Sequence, residues 1–333
     1  MPACHAGGRG FESRPVRHFS LFLLFTFLDP IFLMFESLPA TPKLEVIDDP
    51  FLCQSGVRME VLRLDCIHPL VNGNKWFKLK LNLQQARRDG YNRLLSFGGA
   101  YSNHLRALAA AARLADMESI GIVRGEVSEP LNPVLTFARQ QGMELHAVTR
   151  SDYRRKQEAE FIAELVARFG DFYLIPEGGS NRQGVTGCSQ IMEYLAPVLA
   201  DSSCQRTLVA VACGTGATLA GLIRGAQERR LPVECLGVAV LKGAEFLHAE
   251  IQQWLGPEQD CFSWRLNTAY HCGGYAKSTP ELTDFITSFQ ANTGIPLEPV
   301  YTGKLVYGLY KLIESGAIDE GSRIIWLHTG GVH

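Results

Sequence analysis

The 333-residue chain has no C-x-x-C pair, no H-x-x-x-H pair and no Gly-Lys-Ser/Thr triplet. The first two absences remove the ligand spacings of a structural or helical zinc site, and the third removes a P-loop. No sign of charge dominates either. The chain carries 32 Lys and Arg against 34 Asp and Glu, scattered without a basic stripe, so the electrostatic footprint of a nucleic-acid binder is missing. Nine widely spread cysteines are too few for a disulfide scaffold. Cys188, Cys204, Cys213 and Cys235 lie in or beside apolar runs, as small buried hydrophobes of a reduced, cytoplasmic protein do. With 46% hydrophobic and 20% charged residues, the composition allows a large core or two lobes, and small molecules are the expected partners.

The first 36 residues differ from the rest. Arg9, Arg14 and Arg17 precede FSLFLLFTFLDPIFLMF, which has the charged and apolar parts of a signal peptide, but Asp29 and Pro30 interrupt it and no A-x-A site follows. The run is short of the ~20 apolar residues that span a membrane. GFES, at 10–13, can be back-translated as GGTTCGAATCC with one flanking base, the shape of a transfer-RNA T-arm. An atypical leader read through from upstream DNA, with the true start at Met34, is therefore one expectation.

From about residue 44, short aliphatic runs alternate with helical stretches. RMEVLRL, RLLSF, SIGIV, LHAV, FYLI, TLVAVA, ECLGVAV and RIIWL read as strands, and 103–115, 155–169 and 280–291 as amphipathic helices. That order predicts an α/β fold with parallel sheets and helices on both faces. No linker of low complexity divides the body, so a second lobe is expected as an insertion. PEGGSNRQGVTG, at 176–187, is a candidate boundary or hinge.

Ligands in such folds gather where strands end and helices begin. At one junction, LVAVACGTGATLAGLI places a glycine turn before a helix start, where backbone amides can converge on a phosphate. It is no dinucleotide fingerprint, because Leu219 stands at the last glycine position. At another, VNGNKWFKLKL holds three lysines. A helix starting near Lys75 puts Trp76, Leu79 and Leu83 on one face and leaves Lys78 and Lys80 to solvent. Lys75 follows the capping turn Asn72-Gly73-Asn74, where the helix dipole and burial lower an amine's pKa and suit it to a Schiff base. A lysine, a phosphate cradle and junctions rich in Tyr, Ser and Asn are the parts that hold pyridoxal phosphate.

Over about residues 40 to 331 the chain resembles the pyridoxal-phosphate enzymes of the tryptophan synthase β type. Within them it is most similar to the 1-aminocyclopropane-1-carboxylate deaminase and D-cysteine desulfhydrase group. GNKWFKLKLNL, SFGGAYSNHLRALAAA, IPEGGSN, CGTGATLAGL, GGYAK, PVYTGK and HTGG occur in that family's order. The resemblance implies a two-lobed, three-layer fold. A larger cofactor-binding lobe would take residues 37–78 and 188–333, and a smaller inserted lobe residues 79–187. Residues 1–36 would stay outside both. It implies that Lys75 carries the cofactor and takes the substrate Cα proton, and that Asn103 hydrogen-bonds the ring phenolate. Ser102 matches the family serine read as a nucleophile, and could equally bind the substrate carboxylate. Gly214, Thr215, Gly216, Ala217 and Thr218 match the phosphate loop, with Ala217 in place of a frequent Gly. Tyr275 and Tyr301 match two active-site tyrosines. A homodimer is implied as well.

Thr302 stands where the resemblance sets a Glu facing the pyridine nitrogen in the cyclopropane deaminases. A hydroxyl there supports a weaker electron sink, which favours β-elimination of D-cysteine to pyruvate, sulfide and ammonia over opening a cyclopropane. Cyclopropane deamination, a D-serine-type ammonia-lyase, and a non-catalytic phosphate or metabolite-binding protein are the rival readings. His104, His271 and His328 lie near these loops, where hydrogen-bonded structural roles are expected. His328 and its following glycines are placed beside the cofactor.

Overall fold

The aliphatic runs read from the sequence are strands in the computed structural model, which describes residues 40–199, 206–256 and 262–331. The leader, the Met34 start and Cys204 lie outside the described residues. The strands are β1 (Leu44–Val46), β2 (Arg58–Leu62), β3 (Arg93–Gly99), β4 (Glu118–Arg124) and β5 (Glu144–Val148), then β6 (Tyr173–Ile175), β7 (Arg206–Cys213), β8 (Glu234–Ala239), β9 (Trp264–Asn267) and β10 (Ser322–Leu327). One sheet runs β1-β2-β10-β7-β8-β9 and the other β5-β4-β3-β6. All pairings are parallel except β1 with β2. Residues 93–175 therefore build one sheet, set into the chain between strands of the other.

β8 is buried at every position and β7 at its last six, the continuous apolar pattern of a strand covered on both faces. β2 does not follow the in-and-out burial of a half-covered strand, being buried at its last four positions. Met59 and Val61 pack with Leu305 and Leu309 on one face, while Leu62 joins Trp76 and Leu79 on the other. β1 and β9 gave no signal because each is a short edge strand with no continuous buried face.

Five helices position the cavity described below: α1 (Asn74–Arg88), α2 (Asn103–Leu114), α3 (Arg182–Ser189), α4 (Ala217–Glu228) and α5 (Thr302–Glu314). The expected segments 103–115 and 280–291 appear as α2 and as Pro280–Thr293, and 155–169 is shortened to Ala159–Phe169. The limits expected for the inserted lobe, 78/79 and 187/188, both fall inside helices, α1 and α3.

α1 corrects one expectation outright. Lys78 is not solvated: it is 2% exposed, because α1 packs against both α2 and α3 and has little solvent face near its start. Lys75 and Lys78, three apart, lie on one side of the helix. That side faces a cavity.

Candidate active site

The cavity measures about 310 Å³ and lies between the C-terminal ends of the two sheets' strands. Of the residues singled out from the sequence, Lys75, Ser102, Asn103, His104, Gly214, Thr215, Gly216, Thr218, Tyr275 and Tyr301 line it. Ala217 and Thr302 do not.

Lys75 is the second residue of α1, and its Nζ donates to Asn74 Oδ1 at 2.9 Å. Burial, and then the neighbouring Lys78, draw the amine down to about 7. The residue before the helix is Gly73, at φ 64°, with no side-chain cap, so the asparagines do not cap it as expected. Asn74 instead donates from Nδ2 to Thr218 Oγ1 at 2.9 Å, which ties the start of α1 to the start of α4. A Cβ on Gly73 would lie 2.0 Å from the Thr329 carbonyl oxygen, so glycine is required both for this φ and for the contact. Thr329 and Gly330 line the cavity, whereas His328 does not.

The turn after β7 reaches α4 through Gly216 at φ 71°, the left-handed conformation that glycine adopts without strain. Around it Ser180 Oγ and Thr215 Oγ1 are 2.6 Å apart. Lys78 Nζ donates to Gly178 O at 3.0 Å and Ser180 Oγ at 3.4 Å. Amides at a helix N-terminus, two threonine hydroxyls and an ammonium group thus surround one end of the cavity, a composition suited to a phosphate.

Ser102 caps α2, its Oγ accepting from the Leu105 amide at 3.2 Å, and Asn103 opens the helix. Behind them His104 is buried. Ser96 Oγ donates to Ile175 O at 2.7 Å, so the 2.9 Å contact between Ser96 and His104 Nε2 needs the proton on Nε2. Its Nδ1 is left as a buried acceptor with no partner. Burial, with Lys75 and Lys78 nearby, holds this imidazole's pKa well below the usual histidine value. His271 accepts from the Gly273 amide through Nδ1. His328 contacts Pro296 O through Nε2 and accepts from the Gly330 amide through Nδ1, so all three histidines have hydrogen-bonded roles.

Tyr301 precedes α5, and its hydroxyl lies 3.4 Å from that of Tyr275. Burial and Tyr275 push the Tyr301 phenol well up. Glu298 closes the N-terminus of α5, accepting from the amides of Val300, Tyr301 and Thr302 at 2.8, 2.7 and 2.6 Å. Burial raises its pKa despite these bonds. Thr302 was expected at the cavity. It is instead fully buried, because its hydroxyl accepts from the Glu298 amide at 3.1 Å and donates to Glu298 Oε1 at 3.3 Å. Two residues along α5, the fully buried Lys304 donates to Gly274 O at 2.6 Å, pinning the loop that carries Tyr275.

Lys78, Arg124 and Glu177 line the cavity and were missed in the sequence. A signal existed for two of them. Lys78 is three residues from Lys75, and Arg124 ends a strand, where ligands gather.

The sequence profile of the family described as pyridoxal-phosphate dependent enzymes matches residues 49–330, most of the chain. The chain belongs to this family. Among relatives of this pyridoxal-phosphate enzyme, a D-cysteine desulfhydrase of Yersinia pestis is 29% identical over 288 residues, covering 83% of this chain and 87% of the relative. The mitochondrial bifunctional D-cysteine desulfhydrase/1-aminocyclopropane-1-carboxylate deaminase of Arabidopsis thaliana is 27% identical over 293 residues, covering 84% and 73%. A crystal structure of a homologue of 1-aminocyclopropane-1-carboxylate deaminase superposes with a TM-score of 0.73 at 27% identity, covering 91% of this chain and 95% of that one. The α/β, parallel-sheet architecture expected from the sequence is this family's fold. The cavity fits the cofactor: an amine drawn to about 7 shares it with the glycine turn at the start of α4. Among the described residues no helix is long and apolar enough to cross a membrane, and no group of His, Cys, Asp and Glu is placed to hold a metal ion.

Proposed function

We propose that this enzyme catalyses β-elimination from a small amino acid, with D-cysteine and water giving pyruvate, hydrogen sulfide and ammonia. The observation that carries the reading is Lys75, an amine with a near-neutral pKa beside the glycine turn of α4. Lys75 would bind pyridoxal phosphate and later accept the proton from the substrate Cα. Bound there, the cofactor supplies an electron sink for the pair left on Cα. The amides at Gly214–Gly216, the hydroxyls of Thr215 and Thr218 and the Lys78 ammonium hold the phosphate. Ala217 would act through its backbone alone, since it is buried away from the cavity. Asn103 is assigned to the ring hydroxyl. Ser102 and the start of α2 take the substrate carboxylate, and the Tyr275–Tyr301 pair flanks the leaving group. The names of the Yersinia and Arabidopsis relatives support D-cysteine as substrate.

The same reading includes a cytoplasmic homodimer and two lobes. The lobe limits best move to 89–92 and 176–181, the segments outside α1 and α3 that bracket the strands β3 to β6.

The test is the visible absorption of the purified full-length protein before and after addition of D-cysteine, with pyruvate and sulfide assayed together. A cofactor band that shifts on addition, and is missing in Lys75→Ala, is expected. A protein that stays colourless after incubation with pyridoxal phosphate would overturn the reading and favour a non-catalytic binding protein.

A further inference from the structure

We propose that Arg124 recognises a second anionic group on the substrate, so that the preferred substrates are β-substituted alanines whose leaving group carries negative charge. The proposal rests on the β-elimination reading above and extends it to a substrate class.

The charges around the cavity can be assigned one by one. Lys75 is drawn to about 7. Lys78 is held by Gly178 and Ser180 beside the glycine turn, where a phosphate needs it. Glu177 lies 3.5 Å from Lys156. Arg124 is left over. Among the described residues its guanidinium makes no ion pair and no hydrogen bond, and its contact is with the ring of Tyr153, 5.6 Å from the centroid. A permanent cation at the edge of a binding cavity, with its forked donors unused, selects for carboxylate, phosphate or sulfonate.

Its position separates it from the α-carboxylate. Arg124 ends β4, opposite Gly99 of β3, and a Cβ on Gly99 would come 3.6 Å from Nη2. The guanidinium therefore overhangs the strand end that leads to Ser102. The start of α2 already offers helix amides and Ser102 to the α-carboxylate. Arg124 is exposed, as is Tyr275, so it stands on the solvent side of the cavity, where the far end of a longer substrate would emerge. With an O-acylserine the step balances without an oxidant. The Cα proton passes to Lys75, and the Cβ–O bond breaks with its electron pair on the departing carboxylate. Water then completes conversion to pyruvate, ammonia and the free acid.

The test compares O-succinyl-D-serine with O-acetyl-D-serine on the holoenzyme and on Arg124→Gln. Both esters expel a carboxylate, and the succinate carries one further distal CH2–COO− group that acetate lacks. The wild type is expected to favour the succinyl ester by about tenfold in kcat/KM, mainly through KM, and Arg124→Gln to bring that ratio close to one. Equal rates on both esters in the wild type would overturn the proposal. So would an equal loss on both in the variant, which would give Arg124 the α-carboxylate. Turnover of D-cysteine without turnover of the succinyl ester would also overturn it, leaving β-elimination standing. Turnover of neither D-cysteine nor the esters would remove the β-elimination reading itself.

Discussion

Lys75 owes its chemistry to two neighbours of different kinds: a low-dielectric surrounding, and a second ammonium three residues along the same helix. Both favour the neutral amine. With its value drawn from 10.5 to about 7, roughly half of the side chain is unprotonated at neutral pH. Cofactor capture by the apo-protein should therefore rise with pH, bend near 7 and then level off. Removing the like charge in Lys78→Met makes the protonated form of Lys75 less unfavourable and should move that bend upward, as stopped-flow absorbance would show. An unmoved bend would mean that burial alone sets the value. At Thr302 the outcome is different. Thr302→Glu would place a second carboxylate against buried Glu298 and away from the cavity, so the variant should lose stability, as thermal melts would show, while the cofactor spectrum stays as in the wild type.

Helix ends do most of the work of bringing groups together, and here the sequence was legible in part. Apolar runs marked the strands, and Gly or Asn clusters marked the junctions that carry Lys75, Ser102 and the glycine turn before α4. Lys78 was misread because helical periodicity tells which residues share a side, and cannot tell that a helix is covered on several sides. Thr302 was misplaced for another reason. Nothing in the pattern PLEPVYTGK says that Glu298 folds back over the first turn of α5 and engages the hydroxyl. Glu298→Ala should orphan three amides at that turn and cost about 1–3 kcal/mol, measured by chemical denaturation. Lys304→Met keeps the bulk and removes the bond to Gly274. It should release Tyr275 from Tyr301 and lower kcat about tenfold while leaving the cofactor band intact. Loss of the band would point to a wider collapse of α5.

Across the whole molecule, a long-range ion pair joins the second and third strands of the larger sheet. Glu60 of β2 accepts from Arg323 of β10, 2% and 7% exposed, and Arg323 also donates to Val198 O. Burial pushes the Glu60 carboxyl up, but hydrogen bonds from Arg323 and Arg58 outweigh it, and its pKa ends below the usual value. The unfolded chain therefore holds this proton more tightly than the folded one. The contribution is present above a carboxylate's ordinary range, about pH 4, and fades as pH falls through the lowered value. Glu60→Ala should cost about 3–5 kcal/mol near neutrality and flatten the acid limb of the stability profile. A melting temperature unchanged at pH 7 would count against the pair.

The contact of Gly73 with Thr329 has a consequence for synthesis. The lysine proposed to take the cofactor sits two residues beyond a turn that rests on one of the last described stretches of chain, directly after β10. A ribosome that has made three quarters of this protein has made Lys75, the whole smaller sheet and the glycine turn, and still lacks Thr329, on which the turn before α1 rests. Yellow colour in a preparation would then certify finished molecules, and a chain cut just before Ser322 should remain white however much pyridoxal phosphate is supplied.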